Sequence, residues 1–289
     1  MIELLPQQLI NGVALGSSYA LIALGLTLVF GVLQIPNFPH GELYMLGASF
    51  TYILVASGMN FWLAVPLASL GVVVVGILLD QVGYRRIDKG GNLSLMIAAL
   101  AMSTVLQQVA TILWGAEPHT TPSPLPGVLR TPFFSIGYYQ ILIFFATLAC
   151  WLFVWLVLHR SRLGLAIRAM AQNRTAALLM GIDLIWIRIA TFAIGSLIGG
   201  VAGSLLGASF PIYPTMGLNP VLKAFVILVI GGVGNLWGAI VGGFLLGILE
   251  ILVAGYISSQ LQDIGTFAIL VLVLIVRPNG LFGRAEVLR

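Results

Sequence analysis

Long, uninterrupted apolar runs constrain this chain more than any motif does. They fall at roughly 9–33, 43–57, 61–79, 93–114, 139–158, 188–209, 220–257 and 264–276. A helix needs about 20 apolar residues to cross the hydrocarbon of a bilayer, so most runs supply one crossing each. The 220–257 run has twice the length of one span and is broken by Gly231-Gly232-Val233-Gly234-Asn235. It predicts two segments, with a half-span open for one of them. The 43–57 and 264–276 runs are short, which leaves partial re-entry open for either. The count is eight or nine crossings. Only 8% of residues are charged, against about a quarter in a soluble domain, so lipid must be the main solvent. The strand alternation of an outer-membrane barrel is absent. The expected fold is an all-α polytopic membrane helix bundle, one transmembrane domain over 1–289.

Charge placement orients the bundle. Arg85, Arg86 and Lys89 form one basic loop, the polar island 159–188 a second, and Arg277, Arg284 and Arg289 the tail. Eleven of thirteen basic residues thus fall in three places expected to face the cytoplasm. Three spans before Arg85 put the amino terminus outside. That terminus lacks a basic n-region, so a retained first span is expected. The Pro-rich segment around Thr120 to Pro132 then caps the outer face. Charge beside apolar runs argues against nucleic acid as a partner. The single cysteine, Cys150, precludes a disulfide framework.

The island carries Arg160, Arg162, Arg168, Arg174 and Arg188 against one acid, Asp183. Leu165, Ala169, Gln172, Ala176 and Leu179 fall near one helical face, predicting a short amphipathic helix. On its residues alone this helix suits either anionic lipid or a groove on a soluble partner.

Glycines recur at every fourth residue in Gly195, Gly199, Gly203 and Gly207, and again in Gly234, Gly238 and Gly242; Gly12, Gly16 and Ala20 share the spacing. Such strips let helix backbones approach closely where lipid gives no hydrophobic drive for association. Static packing and sliding during gating both remain open for them.

Enzyme chemistry finds no footing. No nucleophile elbow or phosphate-binding loop appears, and His40 with Glu42 has no second such pair to complete a metal site. Asn37, His40 and Glu42 follow the first span at a bend set by Pro36 and Pro39, which preclude a regular helix. They are the candidates for lining a polar pathway, with an interfacial turn as the other reading. Glu250, in an apolar run, suits a contact to another span or an interfacial position; Gln107 and Gln108 suit interhelical hydrogen bonds.

Thr175 to Gly181, T-A-A-L-L-M-G, resembles the E-A-A-x-x-x-G loop by which permeases of ABC importers seat on an ATPase, with Thr175 in place of the acid. The segments 11–31, N-F-P-H-G-E (37–42), S-R-L-G-L-A-I-R-A-M-A-Q-N (161–173), M-G-I-D (180–183), 222–243 and R-P-N-G-L-F-G (277–283) are similar to the LivH-type permeases of branched-chain amino-acid importers. The family usually has Ala where this chain has Pro39.

The resemblance implies a non-catalytic subunit of the bacterial inner membrane, joined by a similar or identical second permease, two ATP-hydrolysing subunits and a periplasmic binding protein. It implies no cofactor in this chain, ATP and Mg being held by the ATPase subunits. Leucine, isoleucine or valine is the implied cargo, with other neutral amino acids, urea and short amides carried by close relatives. The coupling residues would be Arg168, Thr175, Ala176, Ala177, Gly181 and Asp183. The rival reading is a self-sufficient channel or ion-coupled transporter for a small neutral solute.

Overall fold

The computed structural model describes residues 5–87, 91–131 and 134–283; Lys89, Pro132, Arg284 and Arg289 lie outside them. The helices are α1 (Leu5–Leu33), α2 (His40–Ala56), α3 (Phe61–Leu78), α4 (Arg85–Ile87), α5 (Gly91–Trp114), α6 (Tyr138–Arg160), α7 (Arg162–Gln172), α8 (Arg174–Leu179), α9 (Leu184–Leu206), α10 (Leu218–Gly231), α11 (Leu236–Tyr256) and α12 (Gln262–Val276). A π-helical turn, Leu79–Tyr84, joins α3 to α4, and a 3₁₀ turn, Ser259–Leu261, precedes α12. The strands β1 (Val128–Arg130) and β2 (Ser135–Gly137) form a small antiparallel hairpin.

Seven helices among the described residues are long and apolar enough to span a bilayer, fewer than the eight or nine crossings anticipated. The difference lies in two short helices. At 1.5 Å per residue, α10 is about 21 Å long and α2 about 26 Å, both short of the roughly 30 Å of hydrocarbon. The 231–235 break falls as anticipated, between α10 and α11. The 264–276 run forms the core of a full-length span, Ser259–Val276.

The two short helices start inside the bundle. Residues 34–39 leave α1 as non-helical chain and turn back, so that His40, the first residue of α2, meets Ile22 midway along α1. Residues 207–217 turn back from the end of α9 in the same way, and Gly217 meets Gly41 at the start of α2. A full-length helix, a returning segment, a short helix and a second full-length helix thus occur twice, as α1–α2–α3 and α9–α10–α11. Contacts show the two units running in opposite directions. Gly12 and Gly16 of α1 face Ile248 and Phe244 of α11, while Gly31 faces Gly234, so α1 and α11 are antiparallel. Ser69 and Gly76 of α3 meet Gly200 and Ser196 of α9, the same relation from the other unit. Such inverted units place their broken helices at the centre of the membrane.

One end of the bundle holds Gln7, bonded to Ser135 of β2, and His119, bridged to Ile212. The opposite end holds Leu33, Arg85, α7, α8 and the 231–235 turn. The polar island is two helices where one was anticipated. Asn173 adopts extended backbone and its Oδ1 accepts from the Ala176 N–H at 2.9 Å, ending α7 and starting α8. Leu165 and Leu179 therefore do not share one continuous face.

Glycine sets the closest approaches. A methyl group at Gly16 would stand 2.8 Å from the Cα of Phe244, and one at Gly247 would overlap the Gly16 backbone. Gly195 faces Val29, Gly199 the His40 ring, Gly203 the Tyr44 carbonyl and Gly207 the Ala48 methyl. On α11, Gly238 and Gly242 face Gly231 and Ile227 of α10. Gly234 precedes the helix instead, with φ of 75°, where it packs on Gly31.

Gly247→Leu is expected to cost more than the roughly 1–3 kcal/mol typical of core overpacking, because the obstruction is backbone that no rotamer change relieves. Thermal unfolding in detergent measures it. Gly137→Ala, whose added methyl would be 3.7 Å from its nearest neighbour, should melt as the wild type does.

Candidate functional site

The bend before α2 and the first turn of α2 carry three of the residues singled out in the sequence. Asn37, His40 and Glu42 are 1%, 0% and 0% exposed. His40 Nε2 lies 3.2 Å from the Ile22 carbonyl, in space left by Gly25 and Gly199. Asn37 Oδ1 accepts from the Tyr84 hydroxyl at 3.2 Å. Glu42 Oε1 accepts from Ser103 Oγ at 2.9 Å and Gln107 Nε2 at 2.7 Å, two donors four residues apart on one face of α5. All three sit in packed contacts between helices, and none lines the cavity described below. Pro36 and Pro39 do free the chain from helix, and Asn37 Nδ2, His40 Nδ1 and Glu42 Oε2 at the bend are buried without a hydrogen-bond partner among the described residues.

A second polar cluster was half legible. Glu250 of α11, 0% exposed, accepts from Lys223 of α10 at 2.8 Å, Tyr19 of α1 at 2.7 Å, and Gln262 and Thr266 of α12 at 3.0 and 2.6 Å. Asp263 lies 3.3 Å from the same ammonium. The contact to another span anticipated for Glu250 is thus made to two, α1 and α12, and to the short helix α10 as well. Its base, 27 residues away in sequence, is unreadable as a partner without the fold.

The third cluster overturns an expectation. Arg188, counted with the water-facing island, is 5% exposed and paired through Nε with Asp80, which is 0% exposed. Asp80 sits in the π-helical turn, Arg188 in the second turn of α9. A buried acid at the end of one span selects its base from the start of another, and neither charge reaches water. This pair ties α3 to the helix that the α7–α8 segment leads into.

That segment holds the remaining residues of interest. Arg168 is exposed and its Nε donates to the Gly164 carbonyl at 3.4 Å. Thr175 and Ala176 are exposed, whereas Ala177 packs inward at 4%. Gly181 has φ of 79°, a left-handed turn that suits glycine. Asp183 caps α9, its Oδ1 accepting from the Ile185 and Trp186 N–H groups at 2.9 and 3.2 Å. Leu179 and Met180 each stand 82% exposed at the tip.

On the other side of Ile22 from α2's bend, a cavity of about 210 Å³ opens between α1, α2, α10 and the returning segment 207–217. Leu15, Ile22, Leu206, Phe210 and Met216 give it apolar walls, and Ser18, Tyr19, Tyr44, Tyr213, Asn219 and Lys223 supply its polar groups.

Arg188→Ala leaves the buried Asp80 carboxylate without its base, a change expected to cost about 3–5 kcal/mol. Thermal unfolding in detergent should show the loss. Asp80→Asn in the same chain should recover a large part of it, a coupling that a double-mutant cycle reads directly.

Comparison with known proteins follows this geometry closely in extent. A family model described as "Branched-chain amino acid transport system / permease component" matches residues 8–275. The high-affinity branched-chain amino acid transport system permease protein LivH of Escherichia coli K12 is 37% identical over 296 residues, covering 97% of this chain and 96% of that protein. BraD of Pseudomonas aeruginosa, of the same description, is 37% identical over 299 residues with the same coverage. LivM of Salmonella typhimurium is 26% identical over 91% of this chain and 67% of its own. No solved structure matches the chain. The chain is a multi-pass inner-membrane protein and belongs to the family of branched-chain amino acid transport system permease components.

Proposed function

We infer that this chain is the membrane-spanning permease subunit of an ATP-driven importer of branched-chain amino acids. One observation carries the reading: near-full-length likeness to permeases of that description, at 37% identity. The rival reading of a self-sufficient channel draws no support from these relatives.

The basic groups Arg85 and Arg86 and the arginines of the α7–α8 segment lie at one end of the bundle, the end expected to face the cytoplasm. The amino terminus is then outside, the β1–β2 hairpin faces the periplasm, and each returning segment with its short helix counts as one further crossing. A periplasmic binding protein would deliver cargo to the hairpin face. A second permease subunit, of this sequence or of the LivM kind, would complete the pathway. Two ATP-binding subunits, holding ATP and Mg, would dock beneath.

Docking falls to α7 and α8. A groove on the ATPase would take the exposed tip Leu179–Met180, with Thr175, Ala176 and Arg168 at its rim, Ala177 anchoring α8 to the bundle and Gly181 turning the chain. Asp183 fixes the start of α9, so a displacement of α8 passes into α9 and through Asp80–Arg188 into α3. Glycine contacts along α9 let that helix move against α2 without interdigitated side chains to disengage. Asn37, His40 and Glu42 then hold the α2 bend in register with α1 and α5, shaping the pathway from behind.

Leu179→Asp and Met180→Asp test docking, because both side chains are solvent-facing and the fold should survive. Each is expected to cut co-purification of the ATPase about tenfold, the loss of an anchor worth about 1.4 kcal/mol, and to reduce leucine uptake in step. Normal assembly with normal uptake in both variants would remove the coupling role from this segment.

A further inference from the structure

We propose that the cavity between α1, α2 and α10 is a binding site, within this one subunit, for a small zwitterion with an aliphatic side chain. Tyr44 and the first turn of α10 would receive its carboxylate. The proposal rests on the transport reading above and adds a place where cargo pauses.

Size sets the first limit. The cavity holds about 210 Å³, below the roughly 300 Å³ at which pockets for drug-sized ligands begin. It suits one small metabolite. The walls set the second. Leu15, Ile22, Leu206, Phe210 and Met216 offer aliphatic and aromatic surface to a hydrocarbon side chain.

The polar groups divide into committed and free. Lys223 donates to Glu250 and to the Tyr19 hydroxyl at 2.9 Å, with Asp263 also in reach, and the Tyr19 hydroxyl donates to Glu250. This corner is spoken for, and it offers no unpaired cation to a ligand of net negative charge. Tyr44 is different. It is 2% exposed and lines the cavity, yet its hydroxyl has no hydrogen-bond partner among the described residues. That hydroxyl is therefore available to donate to a ligand oxygen in the cavity.

The start of α10 adds donors. Gly217 at its N-cap provides no side-chain cap. Pro220 has no N–H, and Asn219, which is exposed and makes no hydrogen bond to the described residues, borders the cavity beside it. The first turn of a helix favours an anion through its orphan N–H groups and the helix dipole. Tyr44 reaches the same cavity from α2. A carboxylate placed between them takes the Tyr44 hydroxyl on one side and Asn219 on the other. Ser18 Oγ, whose own bond to Ala14 O is 3.4 Å, and Asn219 Oδ1 remain as acceptors for an ammonium. A side chain carrying its own charge would meet either apolar wall or the Lys223–Glu250 corner, whose charges are already paired.

The test uses the intact assembly of permease and ATPase subunits in nanodiscs, without the binding protein, titrated with radiolabelled leucine. Saturable binding is expected, displaced by isoleucine and valine and not by lysine or glutamate. Tyr44→Phe removes one oxygen that makes no bond in the fold and should weaken leucine about tenfold, as loss of a hydrogen bond to a charged group does. Asn219→Ala should act in the same direction. Tyr139→Phe, which removes a hydroxyl bonded to the Leu205 carbonyl away from the cavity, should leave leucine affinity unchanged. Absence of saturable binding to the wild type overturns the site. So does wild-type affinity in both cavity variants, or equal weakening by Tyr139→Phe. An assembly that couples ATP hydrolysis to leucine import but fails these arms loses the site alone. A chain that neither recruits an ATPase nor imports leucine loses the transport reading and the site together.

Discussion

Gly217 and Gly41 touch backbone to backbone, with no side chain between the starts of α10 and α2. A helix that begins inside a membrane exposes N–H groups that lipid cannot satisfy. Enclosing those two starts in protein is the condition on which the architecture turns. It explains why α1 and α9 are the most enclosed of the spans while α12 is the least. The two central helices screen the short ones, and the outer helices screen the central ones. It also explains why glycine appears wherever one unit crosses the other, since lipid supplies no hydrophobic force to press helices together.

Charge obeys the same condition. Two described ion pairs at depth match acid to base, Asp80 of the first unit with Arg188 of the second and Lys223 with Glu250 inside the second. Glu42 has neutral donors, Ser103 and Gln107. Pairs of this kind add little net stability over an apolar core, yet they penalise any arrangement that separates them. They act as register marks for helices whose glycine contacts would otherwise slide.

The sequence was most legible where one residue's neighbours along the chain decide its environment. Run lengths gave most of the spans, the Gly231–Asn235 break gave the α10–α11 boundary, and motif segments spread from residue 11 to residue 283 gave the family. Arg188 was misjudged because it closes the arginine-rich island although Ile187 and Ile189 flank it, and its partner lies 108 residues away. For Asn37, His40 and Glu42, whether the bend faces water or protein depends on α5 and α9, which the local pattern does not reveal. The cavity residues Tyr44 and Asn219 had no signal at all, since a lone tyrosine in an apolar helix reads as packing. The single predicted island helix became two because Asn173 caps α8, a preference visible in the residue type but outweighed by the run of helix formers around it.

Lys223 has one more consequence, for biogenesis. Its ammonium sits on a helix too short to cross by itself, and its counter-charge arrives only with α11. Insertion of a lone lysine at the centre of a helix costs about 2.5–3.5 kcal/mol. Helix α10 is therefore a poor independent client for the insertion machinery. It would wait at the protein-lined exit until Glu250 has been synthesised and enter with α11 as a hairpin, already neutralised. The order in which the ribosome delivers these two segments is thus built into the charge pair that later holds them.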